Sequence, residues 1–489
     1  MTNTVADGPA RTGRHANTSL VVLFLSLGGL AFAVLQSLVA PALPVIAHEL
    51  HASTDDISWV LTAYLLAASV LTPILGRLGD IVGKRKVLLA VLILLAAGTL
   101  LAALAPNLPI LIVARVLQGA AGAIFPLAIG IVRDELPRER VGVTVGLLSA
   151  IFGVGGGLGI VLAGPIVEHF SWPWLFWFPL ILIGVALLGV IFGVPESPLR
   201  TPGRLDMVGA AILSVSLAAL LLAISKGSDW GWGGARTIGL LAVGAVALVV
   251  FVLFELRVRE PLIDMRLIAL RGVWTTNLVG LTFGFAMYGS FLLIPTLLEL
   301  PASTGYGFGK SVSAAGLFLL PSTLMMMVFG PLSGILERRY GPKLPLILGA
   351  ILETAAFALP AFAHSATWQI LVAGVLSGAG LGFAFAAMSN AIIESVPASH
   401  TGEATSVNSI VRTVGGSVGS AVVAAVLSGK VTAQGIPTDH AFSAGFGVSA
   451  AVAALAVVAS FLLPRRRREQ VADDLLPVGE STDATGVRA

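Results

Sequence analysis

Fourteen long apolar runs, separated by short polar segments, constrain this chain more than any other feature. An α-helix needs about 20 apolar residues to cross the hydrocarbon core of a bilayer. A soluble core stops growing near about 250–300 residues, so a 489-residue chain that is 56% hydrophobic must cover much of its apolar surface with lipid. The sequence therefore predicts an all-α membrane protein with 14 transmembrane helices. The runs lie near 20–44, 57–75, 87–105, 109–132, 142–165, 174–194, 207–225, 237–256, 273–299, 313–335, 344–363, 369–393, 404–428 and 442–463.

The positive charges alternate from side to side along these runs. Of the 29 Lys and Arg residues, 23 lie in the two tails and in every second loop, and two lie within runs. The remaining loops hold only Lys226, Arg236, Lys310 and Lys430. Because loops rich in Lys and Arg stay in the cytoplasm, the asymmetry predicts a multi-pass protein of the cell membrane with both termini cytoplasmic.

A short frame, P-x-x-G-x-L-x-x-x-x-G, begins at Pro73 and again at Pro331. Such a repeat indicates that a membrane-embedded unit was duplicated, as in many transporters. Six helices with their loops take roughly 190 residues here, so the larger spacing of the two frames leaves room for two more helices. The predicted organisation is a tail at 1–18, a six-helix bundle at 19–199, two inserted helices with a cytoplasmic linker at 200–270, a six-helix bundle at 271–464 and a tail at 465–489.

Composition excludes several classes of function. The basic residues lie in short turns without interleaved aromatic residues, which argues against nucleic acid as a partner. There is no cysteine, which excludes disulfides, thiolate metal sites and cysteine chemistry. The chain has no HExxH, G-x-S-x-G or Walker A sequence, so an enzyme, a cofactor and ATP as the energy source are not expected. The predicted partners at this point are the lipid bilayer and a small organic molecule.

The turn between the second and third runs reads Gly76-x-Leu78-x-Asp80-x-x-Gly83-Lys84-Arg85-Lys86. It resembles the signature loop between helices two and three of the major facilitator superfamily. Asp80 can pair with a nearby cation and face a helix N-terminus, where the backbone dipole favours negative charge. The alternative is a solvated loop acid. The resemblance implies a cytoplasmic gate formed by Gly76, Asp80, Gly83, Lys84, Arg85, Lys86 and Arg133.

Further motifs follow in order along the chain. Segment 111–122, LIVARVLQGAAG, is similar to the superfamily's helix-four motif, and 153–165 to a glycine-rich helix-five motif associated with antiporters. Segments 205–209, 230–232, 255–264 and 402–421 resemble the fourteen-helix drug:proton antiporter branch. The resemblance implies the major-facilitator fold, two six-helix bundles with two helices inserted between them. The helix-five residues proposed for close packing and antiport are Gly153, Gly157, Gly159, Gly164 and Pro165.

Three positions depart from the branch's pattern. Nine residues before Pro44, where the branch carries an Asp, this chain has Leu35 with Gln36 beside it. The helix-five Gly-Pro is Gly159-Ile160, and the W-R-W after that helix is W-P-W at 172–174. Because the usual carboxyl group of helix one is missing, Glu353, Asp80 or Glu394 must carry the coupling proton, or the cycle is not coupled to protons.

Polar residues within the apolar runs are the candidates for transport. A buried charge is costly, so Arg115 should face water or a partner, with Gln118 on the same helix face. Both serve a substrate or proton path, or a structural clamp. Arg412 is expected near the cytoplasmic third of its helix. Glu353 is the one carboxylate near the middle of a run. It is expected to act either as a proton carrier or as a neutral structural group.

The predicted cavity helices are the first, fourth, ninth and twelfth. Their lining is largely apolar with few polar groups, which suits a bulky amphipathic solute better than a sugar. The cavity and coupling candidates are Gln36, Arg115, Gln118, Asn277, Tyr288, Asn390, Arg412 and Glu353. The sequence thus favours a monomeric, proton-coupled exporter of hydrophobic organic compounds. The alternatives are a facilitator or gradient-driven carrier for another metabolite, and a transport-inactive sensor on the same fold.

Overall fold

A computed structural model describes residues 18–197, 203–432 and 436–464. Within them, fourteen helices are long and apolar enough to span a membrane, which confirms the predicted number and order. The N-terminal tail apart from Thr18, and the C-terminal tail with its basic run Arg465–Arg468, lie outside the described residues. So does Arg200. The helices, α1 to α14, are Thr18–Glu49, Trp59–Val82, Lys84–Ala103, Leu108–Glu135, Glu139–His169, Trp174–Gly193, Met207–Gly227, Ala235–Glu255, Arg271–Glu299, Ala314–Tyr340, Lys343–Phe362, Thr367–Ser395, Ala398–Gly429 and Asp439–Phe461.

The last glycine of each copy of the repeated frame ends a helix. Gly83 follows α2 with φ of 127°, and Gly341 follows α10 with φ of 75°. Only glycine adopts such positive φ values at little cost. The chain therefore turns sharply at the same point of both copies, and α3 and α11 begin at once. We call the end of the bundle that carries Gly83 and Gly341 the basic end.

The two halves, α1–α6 and α9–α14, meet along two seams. One seam packs α5 against α10 and α12, and the other packs α2 and α4 against α13. The first glycine of the frame lies in a seam in both halves: Gly76 faces Gly402, and Gly334 faces Gly142. A Cβ on Gly334 would lie 2.5 Å from the Gly142 carbonyl oxygen. Glycine at these positions lets the backbones of the two halves approach closely.

The inserted helices lie beside the second seam. α7 packs against α8 and also contacts both α2 and α13, one helix from each half. α8 lies farther out, with Val243, Val246 and Val249 more than half exposed. An exposed apolar face of this kind is suited to lipid. The inserted pair therefore spans the junction of the two halves from the lipid side.

Candidate functional site

Asp80 lies at the basic end, where α2 meets the first turn of α13. Its side chain is completely buried, with Oδ1 3.4 Å from Lys84 Nζ. Its Oδ2 accepts a hydrogen bond of 3.1 Å from the backbone N–H of Glu403. Lys84 Nζ also lies 2.8 Å from Oδ2 of Asp134 on α4. A helix N-terminus favours negative charge, and the N-terminus that Asp80 faces is that of α13. Asp80 therefore joins the first half to the second.

Two further contacts cross the same seam. Arg77 Nη1 lies 3.3 Å from Glu403 Oε2, and both side chains are buried. Arg133 donates to the carbonyl oxygens of Val396 and Pro397, at 2.9 and 3.3 Å, and to the Thr401 hydroxyl. The seam at the basic end is therefore held by charged and polar groups from both halves.

The remaining cations of the basic turn have other positions. Arg85 donates to the carbonyl oxygens of Val190 and Ile191 at the end of α6, within the first half. Lys86 is exposed. Of the three consecutive basic residues, only Lys84 lies beside Asp80.

The seam between α5 and the helices α10 and α12 has a carboxyl group of its own at the basic end. Glu337 is buried on α10, one position before the counterpart of Asp80 in the repeated frame. Its Oε1 accepts from the Ser333 hydroxyl at 2.7 Å, and its Oε2 accepts from Asn390 Nδ2 at 2.6 Å. Asn390 Nδ2 also lies 3.3 Å from the Gly142 carbonyl oxygen of the first half. Asn390 thus binds the acid of its own half and contacts the backbone of the other half directly.

Glu403, Asp134 and Glu337 were not singled out from the sequence. Each had only a weak signal in the sequence. Glu403 is an acid in the first turn of an apolar helix, Asp134 follows Arg133, and Glu337 precedes the repeat's equivalent of Asp80. Acids at helix ends are common on any surface. Only the packing of the helices, within and between the halves, buries these three side chains.

Arg115 and Gln118 form an enclosed cluster inside the first half. Arg115 Nε donates to the Val60 carbonyl oxygen at 3.1 Å, and Nη1 donates to Gln118 Oε1 at 2.8 Å. The guanidinium carbon lies 4.3 Å from the centre of the Tyr64 ring. Gln118 Nε2 donates to the Thr99 hydroxyl at 3.3 Å. This arrangement gives the buried guanidinium two hydrogen-bond acceptors and an aromatic face, while its Nη2 has no hydrogen-bond partner among the described residues.

Three candidate residues lie where the halves meet at mid-depth. Gln36 Nε2 donates to the Tyr288 hydroxyl at 3.2 Å, which joins α1 to α9. Arg412 lies close to the middle of α13 and not in the predicted cytoplasmic third, because α13 begins at Ala398, before the predicted run. Its guanidinium carbon is 4.7 Å from the centre of the Phe385 ring. These residues surround the central junction of the bundle.

Asn277 lies away from that junction. Its Oδ1 accepts a hydrogen bond of 3.0 Å from Asn408 Nδ2, which joins α9 to α13 within the second half. Both amides are buried. In this conformation the pair connects two helices of one half.

The glycine-rich face of α5 contacts both halves. Cβ atoms at Gly153 and Gly157 would overlap Met326 and Thr323 of α10, and one at Gly159 would lie 2.6 Å from the Val34 carbonyl oxygen of α1. Pro165 lies exposed near the end of α5, next to Gly164. The first three glycines therefore allow close contact between helices.

Glu353 is buried on α11, away from both seams, against α12 and α14. Its Oε1 accepts from the Ser377 hydroxyl at 3.1 Å, and its Oε2 has no hydrogen-bond partner in the described part of the chain. Ser377 also lines a cavity of about 10 Å³, together with Ser290 of α9. A cavity of that size is at the lower limit for one water molecule. The Ser377 hydroxyl group thus connects Glu353 to a small cavity that α9 also lines.

A family model described as Major Facilitator Superfamily matches residues 25–420, with a further match at 279–481. This chain belongs to the major facilitator superfamily. Solved structures of that superfamily share its architecture. The human organic anion transporter MFSD10 (TETRAN) has a TM-score of 0.63 at 17% identity, covering 92% of this chain and all of the other. The proton:xylose symporter XylE has a TM-score of 0.61 at 13% identity, covering 92% and 96%. The major-facilitator fold is confirmed.

Relatives in sequence carry names that refer to export or resistance. The Tetracenomycin C resistance and export protein of Streptomyces glaucescens is 30% identical over 437 residues, which cover 87% of this chain and 79% of the relative. Multidrug resistance protein 3 of Bacillus subtilis is 28% identical, covering 86% and 82%. Multidrug transporter protein MdtP of the same organism is 27% identical, covering 86% and 77%. This chain is therefore a multi-pass membrane transporter of the superfamily.

Proposed function

We propose that this protein exports hydrophobic or amphipathic organic compounds by alternating access, driven by the proton gradient. The observation that carries the proposal is the similarity, over more than four-fifths of the chain, to relatives named as drug or antibiotic exporters. The weakly polar junction around Gln36, Tyr288 and Arg412 supports a substrate of that kind. In this proposal the protein works as a monomer.

We propose that the basic end faces the cytoplasm and that both termini lie on that side, because the positive-inside rule assigns the Lys- and Arg-rich loops there. The polar seam around Asp80 is then a cytoplasmic gate, closed in this conformation. The two six-helix units, 19–199 and 271–464, separate at this seam when the gate opens. The sidedness of cysteine labelling at the gate, in a chain that has no native cysteine, tests the orientation.

A susceptibility panel tests export directly. A host that lacks its own pumps is grown with and without the gene, against apolar antibiotics and dyes of different charge. We expect the gene to raise the inhibitory concentration of several of these compounds, and a proton uncoupler to remove the protection. A protein that is present in the membrane yet protects against none of them, and that accelerates solute uptake, would contradict export.

One observation favours a second function. The first helix carries Leu35 where the antiporter branch has an acid. A facilitator that equilibrates a metabolite across the membrane needs no coupling carboxyl group. Transport by the purified protein that is indifferent to the pH gradient would support this candidate.

A further inference from the structure

Arg412 is the one buried or half-buried cation of the described spanning helices that makes neither a hydrogen bond nor an ion pair with a described residue, and its contacts are aromatic. Arg77 pairs with Glu403, Lys84 with Asp134, and Arg115 with Gln118. Arg412 has neither a hydrogen bond nor an ion pair to any described residue. Its guanidinium carbon lies over two aromatic rings, 4.7 Å from Phe385 and 5.6 Å from Phe125. A cation at mid-membrane is costly without a counter-charge, so an anion that reaches it gains an unusually strong partner.

The groups around Arg412 are those that would hold a flat aromatic molecule. Phe125 packs against Phe152 in an edge-to-face arrangement, with ring centres 4.7 Å apart. Across the junction, the Tyr288 hydroxyl and the Gln36 carboxamide are bonded to each other. The site therefore offers aromatic faces, two neutral polar groups and one guanidinium, with no acid on the described helices beside it. A guanidinium binds a carboxylate or sulfonate through two parallel hydrogen bonds.

We propose that Arg412 is the anion-recognition group of the transport path and that the preferred substrates are aromatic organic acids in their ionised form. This inference rests on the proposed transport function and specifies its substrate class. The two rings stack on the substrate's aromatic body, and Arg412 binds its acidic group.

Two dyes with a common xanthene frame test the charge preference: fluorescein, an anion, and rhodamine 6G, a cation. We expect the reconstituted wild-type protein to transport fluorescein in preference to rhodamine 6G. Arg412→Gln should raise the KM for fluorescein about tenfold or more, because one charged hydrogen-bond partner is lost. Arg412→Lys, which keeps the charge but not the planar fork, should restore part of the affinity. An unchanged KM in Arg412→Gln, or preference for rhodamine 6G, would overturn the proposal.

Binding is also measured without transport, as the thermal stabilisation of the purified wild-type protein by each dye. We expect stabilisation by fluorescein only, and its absence would also overturn the proposal. A protein that binds fluorescein and moves neither dye would instead contradict the exporter function. Export of rhodamine 6G alone would leave that function intact and remove the anion preference.

A separate observation concerns the inserted helices. The linker after α8 folds back onto the segment before α7, where Glu260 Oε2 accepts from the Arg204 N–H at 2.7 Å. It also folds onto the end of α8, where Glu255 Oε2 accepts from the Ile263 N–H at 3.4 Å. The next residue, Asp264, donates its backbone N–H to Glu403 Oε1. Glu403 is the acid that also binds Arg77 and whose own N–H binds Asp80. The insert thus reaches the central acid of the seam.

Apolar and polar contacts tie the same insert to both halves. Leu213 and Leu217 of α7 form one cluster with Ile410 of α13, and Ile74 of α2 packs against it. Near the other end of α7, the hydroxyl groups of Ser225 and Thr62 lie 3.1 Å apart. When the seam between α2 and α13 opens, α7 must lose its contacts either with α2 or with α13.

We infer that the inserted helix pair is a positioning element of the gate, and that it stabilises the closed basic end through the Asp264–Glu403 contact. This inference rests on the proposed gate. The backbone N–H is the group to remove. Asp264 has φ of −69°, which proline adopts, so Asp264→Pro deletes the donor. Asp264→Ala is the matched control, because it loses the same side-chain cap on Arg266 N but keeps the N–H.

The readout is a single cysteine at Ser406, a buried residue of α13 that faces Gly76 across the seam. In inside-out vesicles, Asp264→Pro should increase the rate of maleimide labelling about tenfold, as expected for the loss of a hydrogen bond to a charged group. Asp264→Ala should stay close to the parent rate. Equal rates in the two variants would overturn the inference.

Asp80→Asn, combined with the same single cysteine at Ser406, distinguishes the proposed gate from the proposed role of the inserted helices. Faster labelling in Asp80→Asn together with no effect of Asp264→Pro leaves the gate intact and removes the insert from it. No effect of either contradicts both. If Asp264→Pro is not inserted, hydrogen exchange of segment 256–268 in Glu403→Ala decides, since a docked Asp264 N–H should exchange faster there and unchanged exchange would overturn the inference.

Discussion

Asp80→Asn is expected to insert in normal amounts and to lose at least about nine-tenths of transport activity, because breaking a buried ion pair costs several kcal/mol and every 1.4 kcal/mol is a factor of ten. Asn keeps an oxygen for the Glu403 N–H but removes the charge beside Lys84 and at the start of α13. The closed state of the basic end is then weakened. The measurement is substrate transport in proteoliposomes, normalised to the amount of inserted protein.

Arg338→Gln is the matched control for that substitution. Arg338 occupies the position of Asp80 in the second copy of the frame, and its side chain is exposed. It should transport at close to the wild-type rate, because a single exposed charge contributes little. Wild-type transport by a well-inserted Asp80→Asn protein would remove Asp80 from the gate.

Glu353→Gln should abolish uphill transport driven by an imposed pH gradient while downhill exchange continues. Gln preserves the shape and the acceptor for Ser377 but cannot take up or release a proton. Glu353 has no ion-pair partner in the described chain, so its protonation state is free to follow the cycle. Proteoliposomes with and without the gradient supply both measurements.

Glu337→Gln is the comparison for this experiment, because Glu337 is another buried carboxyl group without a cation among the described residues. Uphill transport that survives in Glu353→Gln and disappears in Glu337→Gln would move the coupling role from the periphery of the second half to its seam. A wild-type protein that ignores the pH gradient would instead favour the facilitator.

The local properties of the fold were predictable from the sequence. The fourteen spanning helices follow from apolar length alone, which the bilayer thickness imposes on each segment separately. Gly83 and Gly341 end their helices because the positive φ they adopt is a property of one residue. The helix ends were less predictable: α3 begins at Lys84, earlier than the predicted run, because charged residues at the basic end extend the helix beyond its apolar part.

The transport machinery was only partly predictable. Gly76, Asp80 and Lys84 were identified by their spacing, and the structure places them at a seam between the halves. Their partner Glu403 was not identified, since it lies 323 residues from Asp80 and its own surroundings resemble any helix start. Asp134, 50 residues from Lys84 within the first half, was missed because an acid at the end of a helix is common on any surface.

The sequence by itself determined which segments cross the membrane, where the chain turns and that one unit is repeated, because each depends on neighbours within a few turns of helix. Only the tertiary structure decided which charges are paired. Arg115 and Arg412 look alike in the sequence, yet one is enclosed by Gln118 and a carbonyl oxygen and the other faces aromatic rings. That difference arises from helix packing, within the first half for Arg115 and between the halves for Arg412, and a buried charge is stable or reactive according to the partners that packing supplies.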